Sequence, residues 1–397
     1  MDQKNILIFG GELQNKGAQA MTFITVDEAA KRFPDHKVIL YSPGDKKRIA
    51  ESTERYTFEI HAAPYLKGNI LMMIARYVPF LKFFIRQDVI KNTIDDFRNA
   101  DYVFDISGYA LSSDWSEEKS IGYCLRAACA KLYGAGAYLL PQSFGPFDYK
   151  GKKAKITDFL IKKTLGKLDL IMAREQAGYD LLKEKYGFNN VVKTYDMVLE
   201  NRGIDIENVF KAPPEMRSPE IAPDSVGIIP NIKTLRFGKQ DDVFSDYDII
   251  VDELSKAGKH VYFISHSLQD KELCETLYKR YSSDRNNISL IRDELNCLEF
   301  DAAVSKLDFI IGSRYHAIVH AYRNKVPAVV LGWAVKYKEL LGLFGQERYQ
   351  FNVRKAIDPN ELRNAISAMT SDHKKESEAI GNKLTEIRKE NIFDLIR

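Results

Sequence analysis

Short apolar runs alternate with longer segments of helical periodicity along most of the chain. In the longer segments, apolar residues recur every three or four positions, as on one face of an α-helix. Strands that alternate with helices pair in parallel, so this order predicts a doubly wound, mostly parallel α/β sheet. The predicted strands are NILIFG, KVILYS, YVFDIS, AYLLPQS, DLIMAR, SVGIIP, HVYFIS, ISLIR, DFIIG and PAVVLG.

One polar, proline-rich stretch interrupts the alternation, over residues 201–225. A chain of 397 residues exceeds the size at which one hydrophobic core stops growing, so two domains are expected. The pattern predicts an N-terminal α/β domain over 1–200, a linker over 201–225 and a C-terminal α/β domain over 226–357. Charged helices over 358–397 are expected to pack back on the first domain. Because ligands lie beyond the carboxyl ends of parallel strands, two facing domains place a site in the cleft between them.

Composition and charge exclude several classes of protein. Charged residues make up 28% and hydrophobic residues 45% of the chain, as in an ordinary globular protein, and the net charge of +3 gives no general reason to expect a nucleic-acid partner. The opening MDQKNILIFG is typical of a first strand rather than of a secretory signal. We therefore expect a cytoplasmic protein without a metal site. Its cysteines show no CxxC pair or metal-ligand spacing: Cys124, Cys129, Cys274 and Cys297.

The most apolar stretch of the chain covers residues 65–92. Arg76, Pro79 and Lys82 interrupt it well short of the ~20 apolar residues that a membrane-spanning helix needs. Two interpretations remain open. The segment forms a pair of helices that pack on the domain core, or it is an amphipathic segment whose basic and aromatic residues lie at the membrane interface.

The segment DFIIGSRYHAIVHAYRN places two basic residues at the start of a helix. Ser313 suits an N-cap, so Arg314 and His316 are predicted in the first helical turn. That turn carries a partial positive charge and free backbone N–H groups, which disfavour added cations and favour an anion. A bound phosphate or carboxylate would compensate for the repulsion between the two basic side chains and the positive end of the helix, and we expect such a ligand there.

The motifs along the chain resemble those of one family, the polysaccharide pyruvyl transferases. They occur in the same order, although the opening differs from the acidic form GDxNxGDE that is often seen in that family. The resemblance implies two Rossmann-like domains that face a central cleft, a GT-B-like fold. The matching stretches are FGGELQNKGAQAM, PQSFGPF, AREQAGYDLL, TYDMVL, DFIIGSRYHAIVHA and VPAVVLGWAVKYKELLGLFG.

The resemblance also implies an activity. The pyruvyl group of phosphoenolpyruvate would be transferred to two hydroxyls of one sugar, giving a cyclic pyruvate ketal on a precursor of a bacterial capsule, exopolysaccharide or cell-wall glycan. A lipid-linked oligosaccharide at the inner face of the cell membrane is the expected acceptor. Phosphoenolpyruvate is itself the activated co-substrate, so no cofactor is expected.

Candidate residues for the donor side lie mainly in the C-terminal domain. His316 is the first candidate for acid–base catalysis with Arg314 beside it, and His266 is the alternative acid or base. Lys338 is the register alternative to Lys336, and a solvated loop lysine is an equally good interpretation of either. The donor is anionic and suits cationic and N–H groups, supplied by Arg314, Ser313, Lys336, Arg236 and Arg174.

Candidate residues for the acceptor side lie in the N-terminal domain. Carboxylate, amide and aromatic groups are the groups that commonly contact a sugar in a binding site. Ordinary turn or structural roles remain open for the same residues. His320 lies four residues after His316, which is also a metal-ligand spacing, but without an evident carboxylate partner we interpret it as a packing residue. The acceptor candidates are Gln14, Asn15, Asp105, Tyr109, Asp114, Trp115, Gln142 and Ser143.

Two other functions fit the same sequence pattern. A glycosyltransferase of the same two-domain shape would use a nucleotide sugar, and it would need a base-and-ribose pocket, commonly with a carboxylate on the ribose. A catalytically inactive glycan-binding protein would keep the fold without turnover. Retention of both Arg314 and His316 argues against the inactive form.

Overall fold

The structure is a computed structural model in which the strands and helices follow the predicted alternation. Pro79 and Arg86, which belong to the predicted membrane-interface segment, lie outside the described residues. The structure describes residues 3–42, 54–78, 80–85 and 87–397.

The strands of the N-terminal domain form one parallel sheet. The inner strands are short runs of mostly buried residues, because helices cover both faces of a doubly wound sheet, whereas the edge strands β3 and β7 are only partly buried. The strands are β1 (Asn5–Phe9), β2 (Lys37–Ser42), β3 (Glu59–Ala62), β4 (Ala100–Asp105), β5 (Gly136–Gln142), β6 (Leu170–Ala173) and β7 (Val191–Lys193). In the described part of the chain, their order across the sheet is β3-β2-β1-β4-β5-β6-β7.

The strands of the C-terminal domain repeat this arrangement. They are β8 (Ser225–Ile229), β9 (His260–Ile264), β10 (Ile288–Ile291), β11 (Phe309–Gly312), β12 (Ala328–Gly332) and β13 (Gln350–Asn352). All are parallel, in the order β10-β9-β8-β11-β12-β13. The strand order reverses beside the first strand of each sheet, and this is where open α/β sheets form ligand crevices.

Helices connect the strands of both sheets. Those of the N-terminal half are α1 (Lys16–Arg32), α2 (Leu66–Tyr77), α3 (Leu81–Phe84), α4 (Asp88–Arg98), α5 (Glu117–Tyr133), α6 (Ala154–Thr164), α7 (Gln176–Tyr186) and α8 (Met197–Glu200). Those of the C-terminal half are α9 (Thr234–Phe237), α10 (Gln240–Lys256), α11 (Lys271–Ser282), α12 (Cys297–Val304), α13 (Tyr315–Arg323), α14 (Val335–Leu343) and α15 (Pro359–Ile387).

The predicted fold class is confirmed, with differences at the edges. The strands β3, β7 and β13 were not predicted, because each is short and lies at or next to the edge of its sheet, where apolar patterning is weak. Helix α10 begins about five residues before its predicted start at residue 245, since its polar first turn with Asp241 and Asp242 complements the helix dipole.

A continuous apolar layer lies between the two domains. It includes Ile8 and Phe104 from the first sheet and Ile310 and Val330 from the second. The opposite face of each sheet packs against its own helices. The cleft therefore lies at one edge of a shared core.

The C-terminal helix α15 spans both domains. Leu362 and Ile366, near its start, are buried in the core of the C-terminal domain, whereas Leu384 and Ile387 join the apolar layer between the domains. After the helix, the backbone N–H of Ile392 donates to the buried Glu200 carboxylate at 3.1 Å.

Substitution of Glu200 by Gln tests this attachment. Burial raises the pKa of Glu200 to about 8, so the folded state holds a proton that the unfolded chain releases above pH 4.5. The stability of the wild type should therefore fall as pH rises from about 5 to 8. Glu200→Gln should follow the wild type at pH 5 and exceed it at pH 8 by about 1 kcal/mol or more, measured by urea unfolding. Equal pH dependence in the two proteins would contradict this account.

Candidate functional site

A cavity of about 300 Å³ opens between the two domains, beyond the carboxyl ends of their central strands. The loops that follow β1, β4 and β6 contribute one wall, and those after β8, β9, β11 and β12 contribute the other. The lining residues that carry polar or aromatic groups are Glu12, Asn15, Ser107, Tyr109, Trp115, Arg174, Asn231, Lys233, His266, Arg314, Tyr315, His316, Trp333, Lys336 and Tyr337.

The first turn of α13 forms the centre of the C-terminal wall. The predicted N-cap is wrong by one residue: Arg314, not Ser313, holds the N-cap position with extended backbone, and none of the described side chains caps the helix. Ser313 is instead buried, and its carbonyl accepts hydrogen bonds from Asn231 and Tyr337. The free N–H groups at the start of α13 therefore lie beside the cavity, as an anion site requires.

Arg314 lines the cavity, but its charge is compensated. Its Nε and Nη2 donate to both carboxylate oxygens of the fully buried Asp270, at 2.7 and 2.8 Å. This bidentate pair fixes the guanidinium beside the start of α13 and leaves other N–H groups for a ligand.

Two lysines of the C-terminal domain supply uncompensated positive charge. In the described part of the chain, neither Lys233 nor Lys336 has a carboxylate within 4.0 Å of its ammonium group. The ammonium of Lys233 lies 4.9 Å from the ring centre of Trp115, and that of Lys336 lies 4.7 Å from Tyr109. Both rings belong to the N-terminal domain, so these cation–π contacts cross the cleft.

The electrostatics of the cavity disfavour further positive charge. Burial, together with the positive charge of Arg174, lowers the pKa of Lys336 to about 7. Burial and the neighbouring cations also lower the pKa of His316 well below its usual value, so this imidazole is neutral near pH 7. A bound anion would reverse both effects by favouring the charged forms.

His316 is held tightly between the domains. A Cβ atom on Gly17, in the first turn of α1, would lie 2.3 Å from Cγ of the imidazole. The His316 Nε2 has no hydrogen-bond partner within the described residues, and the nearest carboxylate oxygen, on Asp196, is 3.8 Å away. This nitrogen is therefore a buried polar atom without a partner among the described residues, next to the cavity that His316 lines.

Arg174 lines the cavity and also joins the domains. Its buried guanidinium donates to Glu175, Asp196 and Ser143 at 2.9 to 3.1 Å. It also lies 4.3 Å from the ring centre of Tyr315, in the C-terminal domain. Most of its hydrogen-bonding capacity is used within the protein.

The acceptor-side candidates divide into two groups. Asn15, Tyr109 and Trp115 line the cavity, and the hydroxyl of Tyr109 donates to Asp114 at 2.5 Å. Asn15 also caps α1, because its side chain accepts from the N–H of Gly17. These residues stay candidates for contact with a sugar.

The other acceptor-side candidates are corrected. Asp105 is buried and pairs with Arg126 at 2.6 Å, and Gln142 is fully buried with its amide bonded to Tyr123 and to backbone carbonyls. Ser143 is buried against Arg174. Gln14 is exposed and lines a neighbouring cavity instead. The polar groups of Asp105, Gln142 and Ser143 are thus used beneath the cavity.

The structure also bears on the donor-side candidates Arg236 and His266 and on the interpretation of His320. Arg236 is exposed, lies over the ring of Phe237 and does not line the cavity. His266 lines the cavity, but it is almost completely buried, and neither ring nitrogen has a partner within the described residues. His320 does have a carboxylate partner, Asp301, at 2.7 Å. Among the described residues, no group of His, Cys, Asp and Glu side chains is arranged to hold a metal ion.

The sequence prediction missed several residues that form the site. Asp270 and Asp196 fix Arg314 and Arg174 from other positions in the chain. The sequence places Lys233 near the rim of the cleft, after the strand GIIP, but it does not show the contact of Lys233 with the ring of Trp115 across the cleft. Burial raises the pKa of Glu12 on the opposite wall. Their positions in the sequence offered a signal for two of them, because Glu12 and Lys233 each follow a predicted strand, whereas Asp196 follows β7, which was not predicted.

Enlarging Gly17 should disrupt the contact between α1 and His316. In Gly17→Ala the new methyl group would overlap the imidazole, so the thermal midpoint should fall by the equivalent of about 1–3 kcal/mol. Gly203→Ala is the matched control, since no atom lies within 4 Å of a Cβ placed there. Equal midpoints for the two variants would show that the cleft can open without cost.

Comparisons with known proteins place this geometry in context. A search of curated proteins finds no match. Among solved structures, MnaA from S. aureus, in a co-structure with UDP, has 10% identity and a TM-score of 0.57, over 95% of this chain and 90% of that one. UDP-GlcNAc 2-epimerase from Methanocaldococcus jannaschii has 14% identity and a TM-score of 0.55, over 92% of each chain.

A third solved structure, the glycotransferase of kitacinnamycin, has 12% identity and a TM-score of 0.54, over 97% of this chain and 94% of that one. At such low identity these likenesses show the fold alone, which is the GT-B fold of two facing α/β domains. A family model described as polysaccharide pyruvyl transferase matches residues 15–334. Because that match covers most of the chain, the protein belongs to the polysaccharide pyruvyl transferase family.

Proposed function

We propose that this enzyme transfers the pyruvyl group of phosphoenolpyruvate to two hydroxyls of a sugar, forming a cyclic ketal on a bacterial surface-glycan precursor. One observation carries the proposal. Lys233 and Lys336 bring two ammonium groups without carboxylate partners, within the described residues, to a cavity that also holds the free N–H groups of α13. A small ligand with a phosphate and a carboxylate matches such a site.

The reaction, as proposed, uses two groups of the cavity. The Lys336 ammonium donates a proton to the methylene carbon, and the double-bond electrons form the new C–H bond. A sugar hydroxyl attacks the adjacent carbon while neutral His316 takes its proton, and the C–O bond to phosphate then breaks. Attack by the second hydroxyl closes the ketal. One hydroxyl proton restores Lys336 and the other leaves with phosphate.

The remaining parts of the cavity suit binding. Arg314, held by Asp270, would orient the donor, and the rings of Tyr109 and Trp115 offer apolar faces to a sugar. We propose a lipid-linked oligosaccharide as the acceptor, met at the inner face of the cell membrane. Phosphoenolpyruvate is the activated reagent, so the proposed route uses no organic cofactor.

A nucleotide-sugar glycosyltransferase is the second candidate, because one observation favours it. A neighbouring cavity of about 290 Å³ is lined by cations that suit a diphosphate, Lys16, Arg55, Arg217, Lys271 and Arg292, and also by the carboxylates Glu275, Asp293 and Glu294. Burial lowers the pKa of Lys16 to about 8.

Glu339, the carboxylate that follows Lys336 and Lys338 in the chain, is already in use. Glu339 accepts the backbone N–H groups of Gln176 and Ala177 at the start of α7, at 2.5 and 3.1 Å. It therefore caps a helix of the N-terminal domain instead of facing a ribose, which leaves Glu275, Asp293 and Glu294 of the neighbouring cavity as the carboxylates for such a contact.

Thermal stabilisation by ligands separates the candidates. Phosphoenolpyruvate at ~100 times its dissociation constant should stabilise the wild type by about 2.7 kcal/mol, while UDP- and GDP-sugars should not. Lys336→Met should lose most of this shift. Lys338→Met, an exposed neighbour on the same helix, is the matched control and should keep it.

A shift with a nucleotide sugar alone would establish the glycosyltransferase. Stabilisation by phosphoenolpyruvate without release of phosphate in the presence of surface-glycan acceptors would point to the inactive binding protein.

The affinity for phosphoenolpyruvate should depend on pH through Lys336. Its pKa is about 7 in the free protein, and a bound anion raises it, so binding takes up a proton above pH 7. The dissociation constant should therefore rise between pH 7.5 and 9, by up to about tenfold per pH unit. In Lys336→Arg, which stays protonated, this rise should disappear. Calorimetric titration measures the dissociation constants of the wild type and of the arginine variant. The same pH dependence in both proteins would show that Lys336 does not contact phosphoenolpyruvate.

A further inference from the structure

Exposed apolar side chains are concentrated on one part of the N-terminal domain. Of the thirteen large hydrophobic residues that are exposed in the described chain, eight lie on or next to α2, α3 and α6. Phe84 is 73% and Tyr77 is 76% exposed, although aromatic rings of this size are normally packed. The eight are Tyr65, Ile70, Ile74, Tyr77, Phe80, Phe84, Ile156 and Phe159.

These residues belong to a single helical layer. Right-handed crossovers place the helices that follow β3, β4 and β5 on the same face of the first sheet. Helix α2 is bonded to α5 from Asn69 to the carbonyl of Gly122. The segment that begins α6 is bonded to α5 from the N–H of Lys153 to Glu117. Helix α5 therefore lies between them.

The outer side of α5 does not interrupt the apolar surface. Leu125, Ala128 and Leu132 recur at helical spacing and are half-buried. We call the outer faces of α2, α3, α5 and α6 the helical-layer surface. It extends the apolar character of residues 65–92 to α6, which the sequence pattern did not suggest.

Uncompensated cations surround this surface. Several basic side chains have no ion-pair partner among the residues that the structure describes, whereas two nearby carboxylates are paired, Glu118 with Lys153 and Asp158 with Lys185, and Glu117 accepts the backbone N–H of Lys153. The surface is therefore apolar with a positive rim. The unpaired cations are Lys67, Arg76, Lys152, Lys155, Lys162 and Lys163.

We propose that the helical-layer surface docks the enzyme on an anionic lipid bilayer. Its exposed aromatic and aliphatic side chains enter the region of the headgroups, and its lysines contact anionic lipid phosphates, as in peripheral proteins that lie on a membrane. No helix in the described ranges is long and apolar enough to cross a membrane. Membrane binding stands independently of the reaction, whereas delivery of a lipid-linked acceptor rests on the proposed function.

Charge decides between a bilayer and a second copy of this chain. A symmetric dimer through the helical-layer surface would bring the same lysines of two molecules together, which is repulsive. An anionic bilayer complements them at every position of the rim. The same argument disfavours a basic protein partner.

Vesicle co-sedimentation of the full-length protein tests the proposal. The protein should bind vesicles of equimolar phosphatidylcholine and phosphatidylglycerol, and binding to phosphatidylcholine alone should be at least about tenfold weaker. Phe80→Ser/Phe84→Ser and, separately, Lys162→Gln/Lys163→Gln should each reduce binding to the anionic vesicles by about tenfold or more. Ile206→Ser/Met216→Ser removes exposed apolar residues elsewhere and should have no effect.

Each outcome supports or overturns the proposal. Equal binding to both kinds of vesicle, or to neither, would overturn it, as would equal losses in the control variant. Concentration-dependent dimers that the Phe80→Ser/Phe84→Ser change abolishes, without vesicle binding, would assign the surface to a second copy instead. The phosphoenolpyruvate-induced thermal shift, measured in the same variants, should equal that of the wild type. If phosphoenolpyruvate shifted the thermal midpoint of neither the wild type nor any variant, the proposed donor would be rejected. The vesicle experiment would then still test membrane docking by itself.

Discussion

The interdomain contact of Arg174 is the interaction on which the site depends. A buried guanidinium is unfavourable unless its N–H groups are paired, and here Glu175, Asp196 and Ser143 provide that pairing. Its flat face remains free to pack on Tyr315 of the opposite domain. Because Tyr315 is the first residue of α13, the same contact sets the distance between the N-terminal wall and the anion-binding helix start.

This arrangement explains which cations remain available. Arg174 and Arg314 are both neutralised by buried carboxylates, so they add geometry and directed N–H groups more than net charge. Lys233 and Lys336 lie at the surface of the cavity and keep their charge uncompensated within the described chain. In this cavity the two arginines therefore provide geometry, and the two lysines provide the positive charge.

Much of the architecture could be predicted from the sequence, since buried strands and amphipathic helices have distinct periodicities. Arg314, His316 and Lys336 line the cavity, and their positions shortly after parallel strands led the sequence analysis to place them at the cleft. The same rule failed for Gln142 and Ser143. Both lie at the end of a predicted strand, where a side chain points either into the cavity or beneath it. Their contacts with Tyr123 and Arg174 determine that both point beneath it.

Sequence patterns could not predict contacts between side chains that are far apart in the chain. Asp270 is 44 residues from Arg314, and Glu339 is 163 residues from the helix start that it caps. The sequence shows that these charged residues exist, but only the packed domains determine which atoms they meet. Sequence patterns could identify a positive helix start, therefore, without showing that its arginine is already neutralised.

The cation–π contacts across the cleft also affect ligand affinity. In the free protein the ammonium groups of Lys233 and Lys336 are already engaged by Trp115 and Tyr109, each worth about 0.5–2 kcal/mol. An incoming anion must draw these groups from aromatic rings rather than from water. The measured binding free energy of the anion is therefore that of its contacts with the lysines minus that of the cation–π contacts that they replace. The rings thereby limit how tightly a released phosphate can be retained.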